Sequence, residues 1–274
     1  MEQAGRVPPR NLDRLTRVYG PTTWEVYARL DVSLDPAGTD ALHDLASRYL
    51  RAGDLVLDAG CGDAAHLIEL VRANEVRGVG VDPVEIHIER ARAAVDAAGL
   101  GDRISLHRGV MHDLPYQDGQ FDFVWCRDVL EQLDDLEGAL GELVRVMGPQ
   151  ARLLVYTTVA TELLEGRDAE MMRRHLGNVE GNLDVAFVEG AFGRAGLVIE
   201  RKDLVGTEWR EHAEERTQPA SRALLRLSRL RRQRQDIVAQ HGQDIFDHIE
   251  ANLHWEVFQF LGKLLPVLYV LRAT

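Results

Sequence analysis

The chain is short of cysteine, of lysine, of positive charge and of long apolar runs, and each shortage removes a class of function. Two cysteines, Cys61 and Cys126, stand in 274 residues. That is too few for a disulfide scaffold, and they lack metal-ligand spacing, so no metal site is assigned to them. Cys61 reads as a small residue filling a loop and Cys126 as a buried apolar one. No stretch of about 20 uninterrupted apolar residues is present, which argues against a membrane span. The opening MEQAGRVPPRNLDRL has no apolar core of a signal peptide, so a cytoplasmic protein without a membrane partner is expected. Lys and Arg total 32 against 44 Asp and Glu, giving a formal charge of −12 and a pI near 5.3. Phosphate neutralisation needs a basic surface, so general nucleic-acid binding is not expected. Arg far outnumbers Lys, which reads as coding bias. There is no internal repeat and no low-complexity linker.

What remains is an ordinary globular composition, 45% hydrophobic and 28% charged. Short β-branched runs alternate with longer 3.6-period segments, the pattern of an α/β protein with a mainly parallel sheet. Strands are expected at 55–59, 76–81, 104–109, 121–126 and 152–158, with helices at 64–72, 86–98 and 136–147. Beyond 158 the alternation slackens into a short helix at 184–195, a strand at 198–208, a long helical region at 218–265 and a closing strand at 267–272. Pro266 is read as the end of that helical region. Residues before about 46 look like one or two helices carrying Tyr19, Trp24 and Tyr27.

The chemistry is concentrated in LVLDAGCGDAAHLIEL, residues 55–70. Gly60 and Gly62 permit a tight turn where a strand meets a helix N-terminus, a place that suits a nucleotide-like ligand. With Ala65 the spacing satisfies the loose dinucleotide pattern, and Asp82 lies where a ribose-binding acid belongs, so NAD is one reading. The acids favour another. Asp58 and Asp63 flank the glycines, where a pyrophosphate would meet two negative charges. A ligand with an ammonium, a sulfonium and a ribose finds the same carboxylates favourable, and S-adenosylmethionine is such a ligand.

Three blocks, VLDAGCGDA (56–64), GVDPVEI (80–86) and RGVMHDLPYQDGQFDFVWCRDVLEQLDD (108–135), make the chain resemble the class I S-adenosylmethionine-dependent methyltransferases. The resemblance covers roughly residues 50–158. It implies a doubly wound, mainly parallel seven-stranded α/β sheet with an antiparallel last strand, plus a helical cap. The implied division is a helical lid at 1–45, a cofactor-binding Rossmann-like core at 46–206, an acceptor cap at 207–265 and a final strand at 266–274. The implied cofactor set is Asp58, Gly60, Cys61, Gly62, Asp82, Pro83, Val110, Met111 and Cys126. In that set the glycine turn holds the methionine portion, Asp82 bonds the ribose, and Pro83 and Met111 lie against the adenine. The sequence departs from the family pattern twice here. Ala64 stands where many members have a third glycine. Val110 stands where an aspartate usually meets the adenine amine, so that contact must come from another group or be absent; Asp113 reads as a turn residue.

The resemblance is closest to the small-molecule O-methyltransferases, acting on sugars and natural products, of bacterial secondary metabolism. It implies a small-molecule acceptor and a monomer or homodimer. Those enzymes often carry a His pair after the fourth strand, where this chain has Glu131 and Gln132. Oxygen needs a base, while an amine needs only to arrive neutral. Glu131 is the candidate base, alone or through a bound metal, with His248 next in line. The bland alternative for Glu131 is a surface ion pair with Arg127, four residues away on a helix that would also align Asp128. On the C-terminal helix Ile245, Ile249, Leu253, Val257 and Phe260 are expected as a core stripe, with His248, Asn252, Trp255 and Gln259 on a second face that could line an acceptor pocket or an interface. Arg222, Arg226 and Arg229 oppose Leu224, Leu227 and Leu230 and read as a solvated face, and His241 reads as a helix C-terminal cap. N- or C-methylation, a non-catalytic S-adenosylmethionine-binding protein and an NAD-dependent oxidoreductase stay open as alternatives.

Overall fold

A computed structural model describes residues 21–274; the expectation for Tyr19 falls outside these residues. The chain divides into two units, one ending at Pro36 and the other spanning Ala37–Thr274. In the first, helix α1 (Pro21–Leu30) presents Val26, Tyr27 and Leu30 on exposed positions. The second begins with α2 (Asp40–Ser47), whose Leu42, Leu45 and Ala46 are buried with Val56, Leu67 and Trp125. α2, which falls within the lid expected at 1–45, is part of the larger unit's core.

The sheet strands are β1 (Leu55–Ala59), β2 (Arg77–Asp82), β3 (Ile104–Arg108), β4 (Phe121–Arg127), β5 (Met147–Ala160), β6 (Leu197–Leu204) and β7 (Leu264–Ala273), in the order β3-β2-β1-β4-β5-β7-β6. The first five are parallel, and β7 runs antiparallel between β5 and β6. The helices α3 (Ala65–Asn74), α4 (Glu85–Ala98), α5 (Leu136–Val146) and α7 (Val185–Arg194) cover the two faces; α6 (Gly166–Leu176) follows β5. The period of two along each strand separates two cores. Leu57, Val79, Val124 and Val155 face α5 and α7, while Val56, Phe123, Trp125 and Leu154 face α2 and α3. Two helix starts are chemically marked: Asp135 caps α5 by accepting from Gly138 N at 2.8 Å, and Asp184 caps α7 by accepting from Phe187 N at 2.8 Å.

The helical region expected at 218–265 is three helices, α9 (Pro219–Arg232), α10 (Arg234–His241) and α11 (Gln243–Phe260), and a further one, α8 (Glu208–Thr217), precedes it. Gln218, in a left-handed conformation at φ 56, separates α8 from α9, and Gly242, at φ 90, follows His241. Two further expectations are corrected here. Pro266 does not end the last helix; Gly262, left-handed at φ 68, follows it, and Pro266 sits third in β7 with its carbonyl accepting from Val205 N. The core stripe of α11 is in part the expected one: Leu253 and Val257 pack on Ala223, Leu227 and Leu230 of α9, whereas Ile245 and Ile249 are exposed and Phe246 is buried there instead. Leu224 is exposed with the arginine row. Among the described residues no helix is long and apolar enough to cross a membrane.

Candidate active site

The glycine turn leaves β1 at its carboxyl end. Gly60 N and Cys61 N both donate to Val81 O, at 2.8 and 3.0 Å, tying the turn to β2. Gly60 is left-handed at φ 82, and a Cβ there would lie 2.3 Å from Val129 Cγ2, so both backbone and neighbour demand glycine. At Gly62, φ 53, a Cβ would meet nothing within 4 Å: the space beside this residue is open. Ala64 is also left-handed, at φ 61, and fully buried. Its strain, about 1–2 kcal/mol, is offset in part by burying a methyl worth about 0.8 kcal/mol, which accounts for the tolerated departure from glycine.

Asp82 ends β2 and is buried. Its Oδ2 accepts from Gly62 N at 3.0 Å, and its Oδ1 accepts from Val84 N at 2.9 Å and faces His87 Nδ1 at 3.0 Å. One carboxylate thus joins the turns after β1 and β2. Asp58, also buried, has its pKa pushed up to about 7, first by loss of solvent and then by the neighbouring charge of Asp82, against the pull of Arg127. The sign follows directly: between about pH 4 and 7 the folded chain holds a proton on Asp58 that the unfolded chain has released, so this group's contribution to stability falls as pH rises through that window. Asp58→Asn is expected to stabilise the protein at pH 8 by about 1–3 kcal/mol and not at pH 4, while weakening binding of a cationic ligand. Urea denaturation at the two pH values checks this; equal effects at both would remove the buried charge from the account.

A cavity of about 240 Å³ opens beside this turn, and Gly60, Pro83, Val110 and Met111 of the sequence-derived set all line it. Asp58, Cys61, Gly62, Asp82 and Cys126 are not on its wall. The Cys61 side chain packs behind the turn toward Gly80, and Cys126 is fully enclosed in the sheet core, where burial pushes its thiol pKa up. Asp113 is absent from the wall and its N donates to Val110 O at 3.3 Å, as a turn residue would. His112, Asp134 and Asp135 are on the wall, and nothing in the sequence pattern had marked them.

Beyond β4 the chain does not form the α-helix that would align Arg127, Asp128 and Glu131. Asp128 is left-handed at φ 53, and a single 3₁₀ turn follows at Leu130–Gln132. The surface pair between Arg127 and Glu131 is therefore not formed. Arg127 bonds Asp128 at 3.1 Å, touches His66 Nε2 and lies 5.2 Å over the Tyr156 ring. Glu131 points inward, 2% exposed, with Oε1 accepting from Thr157 Oγ1 at 2.8 Å and from Thr158 N. Burial first, and the Asp128 charge second, push its pKa up to about 7.

Glu131 and His248, far apart in sequence, meet on a second cavity of about 250 Å³ with Asn252 and Trp255. The fourth member of the expected stripe, Gln259, is buried elsewhere and accepts from Arg210 Nε at 2.6 Å. His248 Nδ1 lies 2.8 Å from His175 O, which leaves Nε2 as the lone-pair nitrogen. Asn178 also lines this cavity; it is buried and its Oδ1 has no partner among the described residues. No sequence pattern marks it, since an Asn in a loop is ordinary. Gln132 lines both cavities, so the 3₁₀ turn is their common wall.

Residues 57–155 match the family described as Methyltransferase domain. A 27-O-demethylrifamycin SV methyltransferase from Amycolatopsis mediterranei is 32% identical over 52% of this chain and 52% of its own length. The chain spans about half or less of the first curated relatives it matches. Among solved structures, the [4+2]-cyclase SpnF superposes with a TM-score of 0.69 at 20% identity, covering 88% of this chain and 85% of its own. The geranyl diphosphate C-methyltransferase of Streptomyces coelicolor, solved with S-adenosyl-L-homocysteine, superposes with a TM-score of 0.63 at 15% identity, covering 86% of this chain and 79% of its own. At such identities the structures establish the fold. The residues at the turn fit S-adenosylmethionine: open space at Gly62, an apolar wall at Pro83, Val110 and Met111, and the acids Asp58 and Asp82 for a ligand bearing cationic groups and ribose hydroxyls. The chain carries a class I S-adenosylmethionine-dependent methyltransferase domain.

Proposed function

We propose that this chain methylates a hydroxyl oxygen of a polar small molecule, with Glu131 as the general base and His248 as a further group on the acceptor wall. The observation that carries the reading is Glu131 itself: a buried carboxylate with a pKa near 7 that lines the second cavity, next to Gln132, which lines both. A base with a pKa near the working pH combines availability with strength. When bound, S-adenosylmethionine supplies an electrophilic methyl on a sulfonium. Asp58, Gly60, Gly62 and Asp82 would hold it, with Pro83, Val110 and Met111 on its apolar side. The chain's remaining task is to exclude water, orient the acceptor and take its proton at a Glu131 oxygen.

The acceptor wall is polar. Asp128, Glu131 and Glu256 supply carboxylates, and Asn178, Asn252 and His248 supply neutral hydrogen-bonding groups, around the Trp255 ring. Three carboxylates disfavour a diphosphate, and so many polar groups disfavour a wholly apolar acceptor. The likeness to the Amycolatopsis enzyme supports an oxygen target and a place in bacterial secondary metabolism. Labelled methyl transfer should be assayed against glycosides, phenols, amines and keto acids. With the acceptor so identified, kcat is expected to rise with pH and level off above about 7, because the base must be ionised. A kcat that is flat from about pH 5.5 to 9 would remove Glu131 as the base, and turnover only with amines would move the reading to N-methylation.

A further inference from the structure

Away from both cavity walls, α2 and α3 bring three metal-ligating atoms together. His43 Nε2 lies 3.1 Å from His66 Nδ1 and 3.2 Å from Glu69 Oε2, and the three atoms fall within 4.8 Å of one another. His66 and Glu69 are three apart on α3 and so share its face. The indole of Trp125 stacks on the His43 ring at 5.3 Å and 7°, fixing its plane.

Hydrogen bonding alone does not satisfy this cluster. Arg127 donates to His66 Nε2, so His66 carries its proton on Nδ1 and gives it to His43 Nε2. The Nε2 lone pair is then used, and Glu69 Oε2 faces an acceptor with an acceptor at 3.2 Å. Moving the proton to His43 Nε2 satisfies Glu69 but requires His66 Nδ1 to accept, which puts the His66 proton on Nε2 against the Arg127 donor. Either way the cluster is one cation short. A metal ion with bonds of about 2.05 Å to nitrogen places neighbouring tetrahedral ligands about 3.3 Å apart, close to the separations present here.

We propose that His43, His66 and Glu69 form a site for one borderline divalent cation of the zinc class, with solvent as a further ligand. Two imidazoles and a carboxylate select such an ion over calcium or magnesium. Glu69 is 59% exposed and gives the ion a way in. Loading transfers the His66 proton to Nε2, so Arg127 releases that nitrogen while keeping Asp128 and the Tyr156 ring. Arg127 and the ion therefore compete.

The site is tested on the full chain, stripped with chelator and titrated with Co²⁺ by visible absorption and with Zn²⁺ in competition with a chromophoric chelator. The expected result is one ion per chain, with a Zn²⁺ Kd below about 10 μM. Glu69→Gln, at an exposed position, should weaken binding at least about tenfold, and His43→Ala should abolish it with the circular dichroism retained. Arg127→Leu should tighten it, because the competing cation is gone. Absence of a Co²⁺ band, or Zn²⁺ binding equally strong in wild type and Glu69→Gln, would overturn the proposal, since the latter places the ion on other histidines.

Discussion

Glu131→Gln is expected to lower kcat by about 10² to 10⁴ while leaving the Kd for S-adenosylhomocysteine nearly unchanged. The amide is a close replacement. Its oxygen can still accept from Thr157 Oγ1 and Thr158 N, so the 3₁₀ turn and the shared wall keep their shape. What it loses is the ability to take a proton. The same change should raise stability, increasingly from about pH 4.5 and in full above about pH 7. The folded pKa of Glu131 is raised to about 7 from 4.5, so the carboxyl stays protonated in the folded chain between those values while the unfolded chain ionises. Stability from this group is thus lost as pH rises through that window, and the glutamine variant escapes the loss. A gain of about 1–3 kcal/mol at pH 8, none at pH 4, together with the fall in turnover, is the signature of a buried base. Unchanged kcat on the true acceptor would make Glu131 structural and shift the role to His248.

Asp82→Ala is expected to weaken S-adenosylmethionine binding by about 1.5–3 kcal/mol, the usual worth of hydrogen bonds to a charged group. The structure gives this loss two sources. The carboxylate is the ribose-binding candidate, and it also holds Gly62 N, Val84 N and His87, so its removal loosens both turns that frame the cavity. Asp82→Asn should fall between, because one amide oxygen can retain a backbone donor that alanine cannot. Titration calorimetry of both variants checks the order. A folded alanine variant with wild-type affinity would show that the ligand does not lie along the turns after β1 and β2.

How much of this was legible beforehand depended on whether the signal was local. The apolar run 55–59 and the glycines after it mark a strand and its turn within a few residues, and β1, Gly60 and Gly62 lie where the pattern puts them. Asp82 followed from its place at the end of the second such run. Signals that rest on tertiary packing were read less well. A left-handed Asp128 carries no sequence mark, and it alone turns the chain from a helix aligning Arg127 with Glu131 into a wall that buries Glu131. Ile245 and Ile249 are as apolar as Phe246, and only the position of α9 decides which of them is covered. Pro266 reads as a helix stop in the sequence although Gly262 has that role, because proline breaks a helix more visibly than a glycine ends one. Asn178 had no pattern at all; its unpartnered oxygen is visible only once the cavity exists.

The buried acids Asp58 and Asp82 suit the turn beside them to a ligand with cationic groups and a ribose, and not to a dinucleotide pyrophosphate. Titration calorimetry of the wild-type chain with S-adenosylhomocysteine, run beside NAD under the same conditions, measures this directly. One S-adenosylhomocysteine per chain with micromolar or tighter affinity, and no heat with NAD, is the predicted result. Saturable NAD binding with no response to S-adenosylhomocysteine would contradict it.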